Sequence, residues 1–331
     1  MGKHNSKIEK NTIIKRVKSE NKTERTKNEF KNNNNFNLQL DITIMAHNDW
    51  VYSVRQFPSR NLISISSDQS IKIFNGFNYN LIQHIQKAHE SRIYGISIKD
   101  DNNFITSSSD QTINIWKKKD KNFELMNYIV KAHTKTINNV IYLSNYNIIS
   151  CSDDYKIKIW KLNNTQYKLL STSKHSQDVN SLLLLEDKNI LISGGNDGTK
   201  FWNLYENKSL SFICHFKAID NSYNGISRID NDRIIIGGLD SLEIISINKR
   251  KIINSIKIPF RCNAITVMEE KGLFFVGGWS KDIKIYRCDN YNCIKTIQKA
   301  HDDYITDFNK LKDDLILSCS GDCTIKIWSF N

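Results

Sequence analysis

One hairpin-sized segment recurs along this chain, and nothing else in the sequence limits the fold so strongly. Its clearest copy is Ile148-Ile-Ser-Cys-Ser-Asp-Asp154-Tyr-Lys-Ile-Lys-Ile-Trp160, with Ala132-His133 upstream. Apolar residues alternate with small or polar ones on both sides of Asp153-Asp154, as they do in half-buried strands. Short acidic side chains there can bond their own backbone and close a tight turn. Ser64–Phe74, Thr106–Trp116, Ser193–Trp202 and Ser318–Trp328 repeat the pattern, and Ile236–Ile245 and Val276–Tyr286 repeat it weakly. His47, His89, His133, His175 and His301 precede the strong copies, the first four spaced by 42, 44 and 42 residues. Ile219 takes the histidine's place in Lys217-Ala-Ile. Seven units of this period predict a β-propeller.

These residues resemble the WD-repeat family over about residues 41–331. The family's mark is a His before the first strand, a Ser or Thr in the second, an Asp in the next turn and a Trp ending the third. Four copies carry all of it: His89/Thr106/Asp110/Trp116, His133/Ser150/Asp154/Trp160, His175/Ser193/Asp197/Trp202 and His301/Ser318/Asp322/Trp328. The family's Gly-His is mostly Ala-His here, and its Trp-Asp dipeptide is absent. The resemblance implies an all-β fold, a seven-bladed propeller. It also implies a cytoplasmic, non-catalytic scaffold or adaptor whose narrow face holds protein or peptide partners within a multiprotein complex.

A Ser, a His and an Asp also suggest a catalytic triad, since a base oriented by a carboxylate can activate a hydroxyl. An enzyme needs one triad, whereas four copies each end on a Trp. The alternative is a structural network in which buried donors and acceptors satisfy one another. Leaving one such group unpaired costs about 1–3 kcal/mol. The weak copies lose these residues together, as Ile219, Ile236 and Ile245 in one and Ile258 or a neighbour, Val276, Ser280 and Tyr286 in the other. A network predicts joint loss, because a half-satisfied one is worse than an apolar core.

In the family, the residues third and fifth after each His crown the central channel. Here they include Trp50 and Tyr52, Arg92 and Tyr94, Thr136 and Asn138, Asp178 and Asn180, Ser222 and Asn224, Arg261 and Asn263, and Tyr304 and Thr306. Trp279 stands before the turn of the sixth copy. Aromatic and Arg side chains dominate interface energetics. The candidate contacts are therefore Trp50, Tyr52, Arg92, Tyr94, Asp178, Arg261, Trp279 and Tyr304. Trp50, Tyr52 and Trp279 match positions where G-protein β subunits present contact residues.

The net charge of +12 is uneven, with +6 carried by residues 1–40. The propeller is thus only mildly basic. Lys72, Lys158, Lys284 and Lys326 alternate along third strands and read as solvated faces, not as a nucleic-acid stripe. RNA or phosphoinositide binding would need a basic cluster on one face, so nucleic acid is not an expected partner. A propeller enzyme would need a polar cluster in the channel. His84 and His215, the propeller histidines off the repeat positions, fall where outer strands are expected. The seven Cys lack paired metal-ligand spacing, and their odd number points to a reducing compartment. No metal and no cofactor is expected, and no apolar run reaches membrane-spanning length. Few Gly and Pro leave most turns to Asn and Asp.

Residues 1–35 are rich in Lys and Asn and too poor in apolar residues to fold alone. They read as a disordered basic tail ahead of a propeller at 36–331. Met1-Gly2-Lys3-His4-Asn5-Ser6 fits the acceptor pattern for N-myristoylation on Gly2. It resembles the amino terminus of the myristoylated neuronal calcium-sensor proteins. One acyl chain anchors only marginally, so the tail's basic residues would add attraction to an anionic membrane surface. Phe36–Ile44 alternates without a hairpin partner, while the chain's last copy lacks a fourth strand. The N-terminal strand is thus expected to close the last blade, removing the exposed edges.

Overall fold

The computed structural model describes residues 14–16, 38–206, 209–217 and 225–330. Seven antiparallel sheets follow one another around a ring. Blades one to six take their strands from residues 51–85, 93–129, 137–174, 179–217, 225–257 and 262–297. Blade seven combines three strands from 305–330 with Leu38–Met45, which pairs Leu40 with Trp328 and Ile44 with Ile325. First and last strands of the propeller thus share one sheet, and the ring has no open end.

One part of the segment expected to lack structure is a strand. Ile14–Arg16 runs antiparallel along the outside of Leu38–Met45, pairing Ile14 with Ile44. Ile14 packs with Ile42 and Leu315 against the core shared by blades seven and one. The rest of the tail, Gly2 included, lies outside the described residues, as do Phe36 and the loop with Ile219, Ser222 and Asn224.

Alternation along each strand sends side chains to both faces of a blade, so every sheet is sandwiched between its neighbours. Phe57, Ile63 and Ile65 of blade one pack with Ile93, Phe104 and Trp116 of blade two. Leu273, Phe275 and Ile283 of blade six pack with Ile305, Phe308 and Trp328 of blade seven. Apolar clusters of this kind fill each blade-to-blade seam. His84 and His215 lie on the outer strands Leu81–Ile85 and Leu210–Lys217. No helix among the described residues is long and apolar enough to cross a membrane.

The turns differ from expectation. In four blades the residue after the turn Asp, Gln69, Gln111, Tyr155 or Cys323, takes a left-handed conformation. The Asp carboxylate ties the turn by accepting the backbone N–H two residues on, as Asp68 does from Ser70 at 3.0 Å. That tie offsets the strain a non-glycine residue carries there.

Candidate functional site

Each histidine loop folds down onto the second-strand hydroxyl of its own blade. In blade three His133 Nε2 lies 2.8 Å from Ser150 Oγ, and Nδ1 lies 2.9 Å from Asp154 Oδ1. Trp160 Nε1–H donates to the same hydroxyl at 2.9 Å. Blade two joins His89 to Thr106 at 2.8 Å and to Asp110 at 3.0 Å, with Trp116 donating to Thr106 at 2.9 Å. Blade seven joins His301 to Ser318 at 2.7 Å and to Asp322 at 2.8 Å, with Trp328 closing at 2.8 Å. In blade four His175 bonds Asp197 and, at 2.7 Å, Ser193, which takes the Trp202 N–H at 2.8 Å. Each Asp also accepts the backbone N–H after its His, as Asp154 does from Thr134 at 3.2 Å.

A neutral histidine satisfies this arrangement in one direction. The indole N–H donates to the hydroxyl, the hydroxyl to Nε2, and Nδ1–H to the carboxylate. Burial holds His47, His133, His175 and His301 below the usual imidazole range, although the facing Asp pulls upward. Burial alone would raise the five carboxyls. Bonds from the histidines and neighbouring donors outweigh it and hold Asp68, Asp110, Asp154, Asp197 and Asp322 well below the carboxylate range. The second-strand hydroxyls are fully buried.

A fifth network was only partly legible. His47 lies 2.7 Å from Ser64 and 3.0 Å from Asp68, though Phe74 stands where the indole would be. Ser70, Thr112 and Thr324, two residues past the turn Asp, also donate to it at 2.6–2.7 Å. Their spacing was the available signal. The third-strand lysines correct the expectation of solvated faces. Lys72 is 5% exposed, and Lys158 and Lys326 donate to the carbonyls of Ala132 and Ala300 at 2.6 Å. The stems of Lys158 and Lys326 lie along the blade while the ammonium finds backbone oxygen.

Above the networks the same loops present a second layer. Arg261 sits over the Trp279 ring at 5.5 Å, and Trp279 stacks on Tyr304 at 5.0 Å. Tyr304 meets Trp50 edge-on at 6.0 Å, Trp50 meets Tyr52 at 6.2 Å, and Tyr52 meets Tyr94 at 4.4 Å. These contacts form one arc over blades six, seven, one and two. Gly321 makes room for it, since a Cβ there would come within 2.9 Å of the Trp50 ring. Trp50, Tyr52, Tyr94, Arg261 and Trp279 border a channel-mouth cavity of about 360 Å³. Ser53 donates to Asp307 at 2.6 Å deeper in, beside the Arg55–Asp307 ion pair.

Arg92 and Asp178 do not border that cavity. Arg92 is held by the Tyr94 hydroxyl, which raises its pKa. Asp178 lies across the ring, accepting from Asn196 at 3.1 Å. Burial, and then the charge of Asp153, raises its pKa. Asn138 donates to Asp153 at 2.6 Å and Asn180 to Asn196 at 2.9 Å, so blades three and four give the face a tied amide–carboxylate side.

The family model described as WD domain, G-beta repeat, matches residues 39–75, 80–117, 126–161, 167–203 and 291–329, more than half of the chain. The chain belongs to the WD-repeat family. The matched segments of this WD-repeat propeller supply the five blades that hold histidine networks. The unmatched stretch from 204 to 290 holds blade five and the first three strands of blade six, where Ile236 and Val276 fill the hydroxyl position. No curated protein matches the chain.

Proposed function

We propose that this WD-repeat propeller is a non-catalytic, cytoplasmic scaffold that holds a protein or peptide on its histidine-loop face, as part of a multiprotein complex. One observation carries the reading: Arg261, Trp279, Tyr304, Trp50, Tyr52 and Tyr94 touch in series beside an open cavity. Trp279 keeps 47% of its surface exposed. Aromatic and Arg side chains grouped around a recess are the chemistry of interface hot spots. Fold alone does not supply function, so the arc, not the propeller, supports the assignment. The test compares proteins co-purified from native cells by the wild-type chain and by the Trp50→Ala/Trp279→Ala variant. A partner set lost with the variant supports the arc, and an unchanged set overturns it.

The tail adds a second element to the proposal. N-myristoylation of Gly2 together with Lys7, Lys10, Lys15, Arg16, Lys18 and Lys22 would tether the ring to an anionic membrane. Mass spectrometry of the native amino terminus decides this, and an unmodified Gly2 removes the tether.

A further inference from the structure

Five of the seven blades can be compared at one register position. Asn114, Lys158, Lys200, Lys284 and Lys326 each pair directly across from the second-strand residue that anchors, or would anchor, the network. Four of these five side chains reach back to the histidine loop. Asn114 donates to the Ala88 carbonyl at 2.8 Å, and Lys158 and Lys326 to theirs at 2.6 Å. Lys200 reaches the Lys174 carbonyl at 3.2 Å and Asp197 at 3.2 Å.

Lys284 in blade six breaks the series. The residue is half-buried, its ammonium has no hydrogen-bond acceptor and no carboxylate partner among the described residues, and it rests 5.7 Å from the centre of the Phe260 ring. Blade six has no histidine beneath its loop, and Ile258 there is buried in the apolar core. A cavity of about 670 Å³ opens there, and Lys284 and Phe260 help to line it. Arg261 and Trp279 line it too, and both also border the channel-mouth cavity. The two recesses therefore share a wall at one end of the aromatic arc.

We propose that this side cavity is a subsite for a carboxylate side chain of the peptide held on the arc, an inference that rests on the scaffold reading above. A half-buried lysine whose ammonium finds no acceptor lacks the pairing that its counterparts in blades three, four and seven have. A carboxylate entering near Lys284 and Arg261 supplies it through charge-assisted hydrogen bonds. Phe260 and Trp279 hold the two cations over their faces and offer apolar walls to the peptide's own stem. Two carboxylates, Asp240 and Asp282, also line the cavity. Asp282 is tied to the Lys299 N–H at 2.8 Å, and Asp240 stands on an exposed turn. Their charge opposes a dianion more than a monoanion, which favours a carboxylate over a phosphate.

Selection of random displayed peptides on the immobilised full-length chain tests this. The expected pool from the wild-type chain is enriched severalfold in Asp and Glu. Lys284→Met should abolish that enrichment, and Lys284→Glu should shift it to Lys and Arg, with all three chains melting alike. Acidic enrichment that survives Lys284→Met, or a selected pool with no acidic bias, overturns the subsite. Displacement of the selected peptides by inorganic phosphate more readily than by acetate overturns the carboxylate assignment. The scaffold reading fails separately, if the Trp50→Ala/Trp279→Ala chain selects the same peptides or if no pool emerges from the wild-type chain.

Discussion

The histidine networks and the aromatic arc occupy the same end of the ring, built from the same loops, yet they are opposite kinds of site. Every network imidazole is wholly covered, and its donors and acceptors are spent on one another. The arc rests above them with its rings partly open and Trp279 half exposed. A Ser–His–Asp set looks more like chemistry than a row of tryptophans and tyrosines does. The comparison teaches that access and unspent bonding capacity mark a working surface better than residue type. It also separates two failures that mutation should produce: loss of the fold beneath and loss of binding above.

The largest expected effect is on stability. Asp154→Ala strips the buried His133 N–H of its acceptor, Asp110→Ala or Asp322→Ala removes the carboxylate facing His89 or His301, and each should cost about 1–3 kcal/mol. Ser280→Ala at the matching turn of blade six removes only a turn bond to Asp282 and should stay within about 0.5 kcal/mol. Denaturant unfolding of the four variants measures the gap. Equal losses in networked and unnetworked blades would erase the distinction.

Acid should act on the same layer. The folded-state pKa values of four histidines lie below the ordinary 6.5, so the unfolded chain binds their protons first. Their contribution is intact above about pH 6.5 and falls as pH drops below it. The five carboxyls, also depressed, contribute above the ordinary 3.8 and are lost as pH falls through their folded values. Both signs agree, and melting temperature should decline with acidification. The His133→Gln/Asp154→Asn variant should show a shallower decline, and an identical pH profile would place the sensitivity elsewhere.

The smallest stability effect belongs to the arc. Trp279→Ala should leave the melting transition within about 0.5 kcal/mol of wild type, because its ring is half in water. A larger loss, read by the same denaturant titration, would make Trp279 part of the core and not of a surface.

Much of this was legible in the chain. The period placed the blades, and the fourfold His, Ser or Thr, Asp and Trp set described the networks, because a local motif carries its own hydrogen-bond partners. The positions third and fifth after each His found Trp50, Tyr52, Tyr94 and Tyr304 together. Their mutual stacking was not legible, since it joins loops of different blades. The first network was obscured by Phe74, which removes one donor without opening the rest. Lys158 and Lys326 misled because alternation reports which face a side chain leaves from, not where a long stem ends. The histidine missing from blade six was legible, but the cavity beside Lys284 was not, since its walls come from loops and strands of two blades. Ile14–Arg16 is too short a strand to stand out within a polar tail.

The central claim is that one layer holds the ring and the other holds the partner. The direct measurement is to melt the wild type, Asp154→Ala and Trp50→Ala/Trp279→Ala side by side and, on the same preparations, quantify the proteins each captures from native cells. The account predicts that Asp154→Ala melts earlier but, below its transition, captures the wild-type partner set. The double tryptophan variant should melt like the wild type and lose that set. Capture unchanged by removing both tryptophans would contradict it.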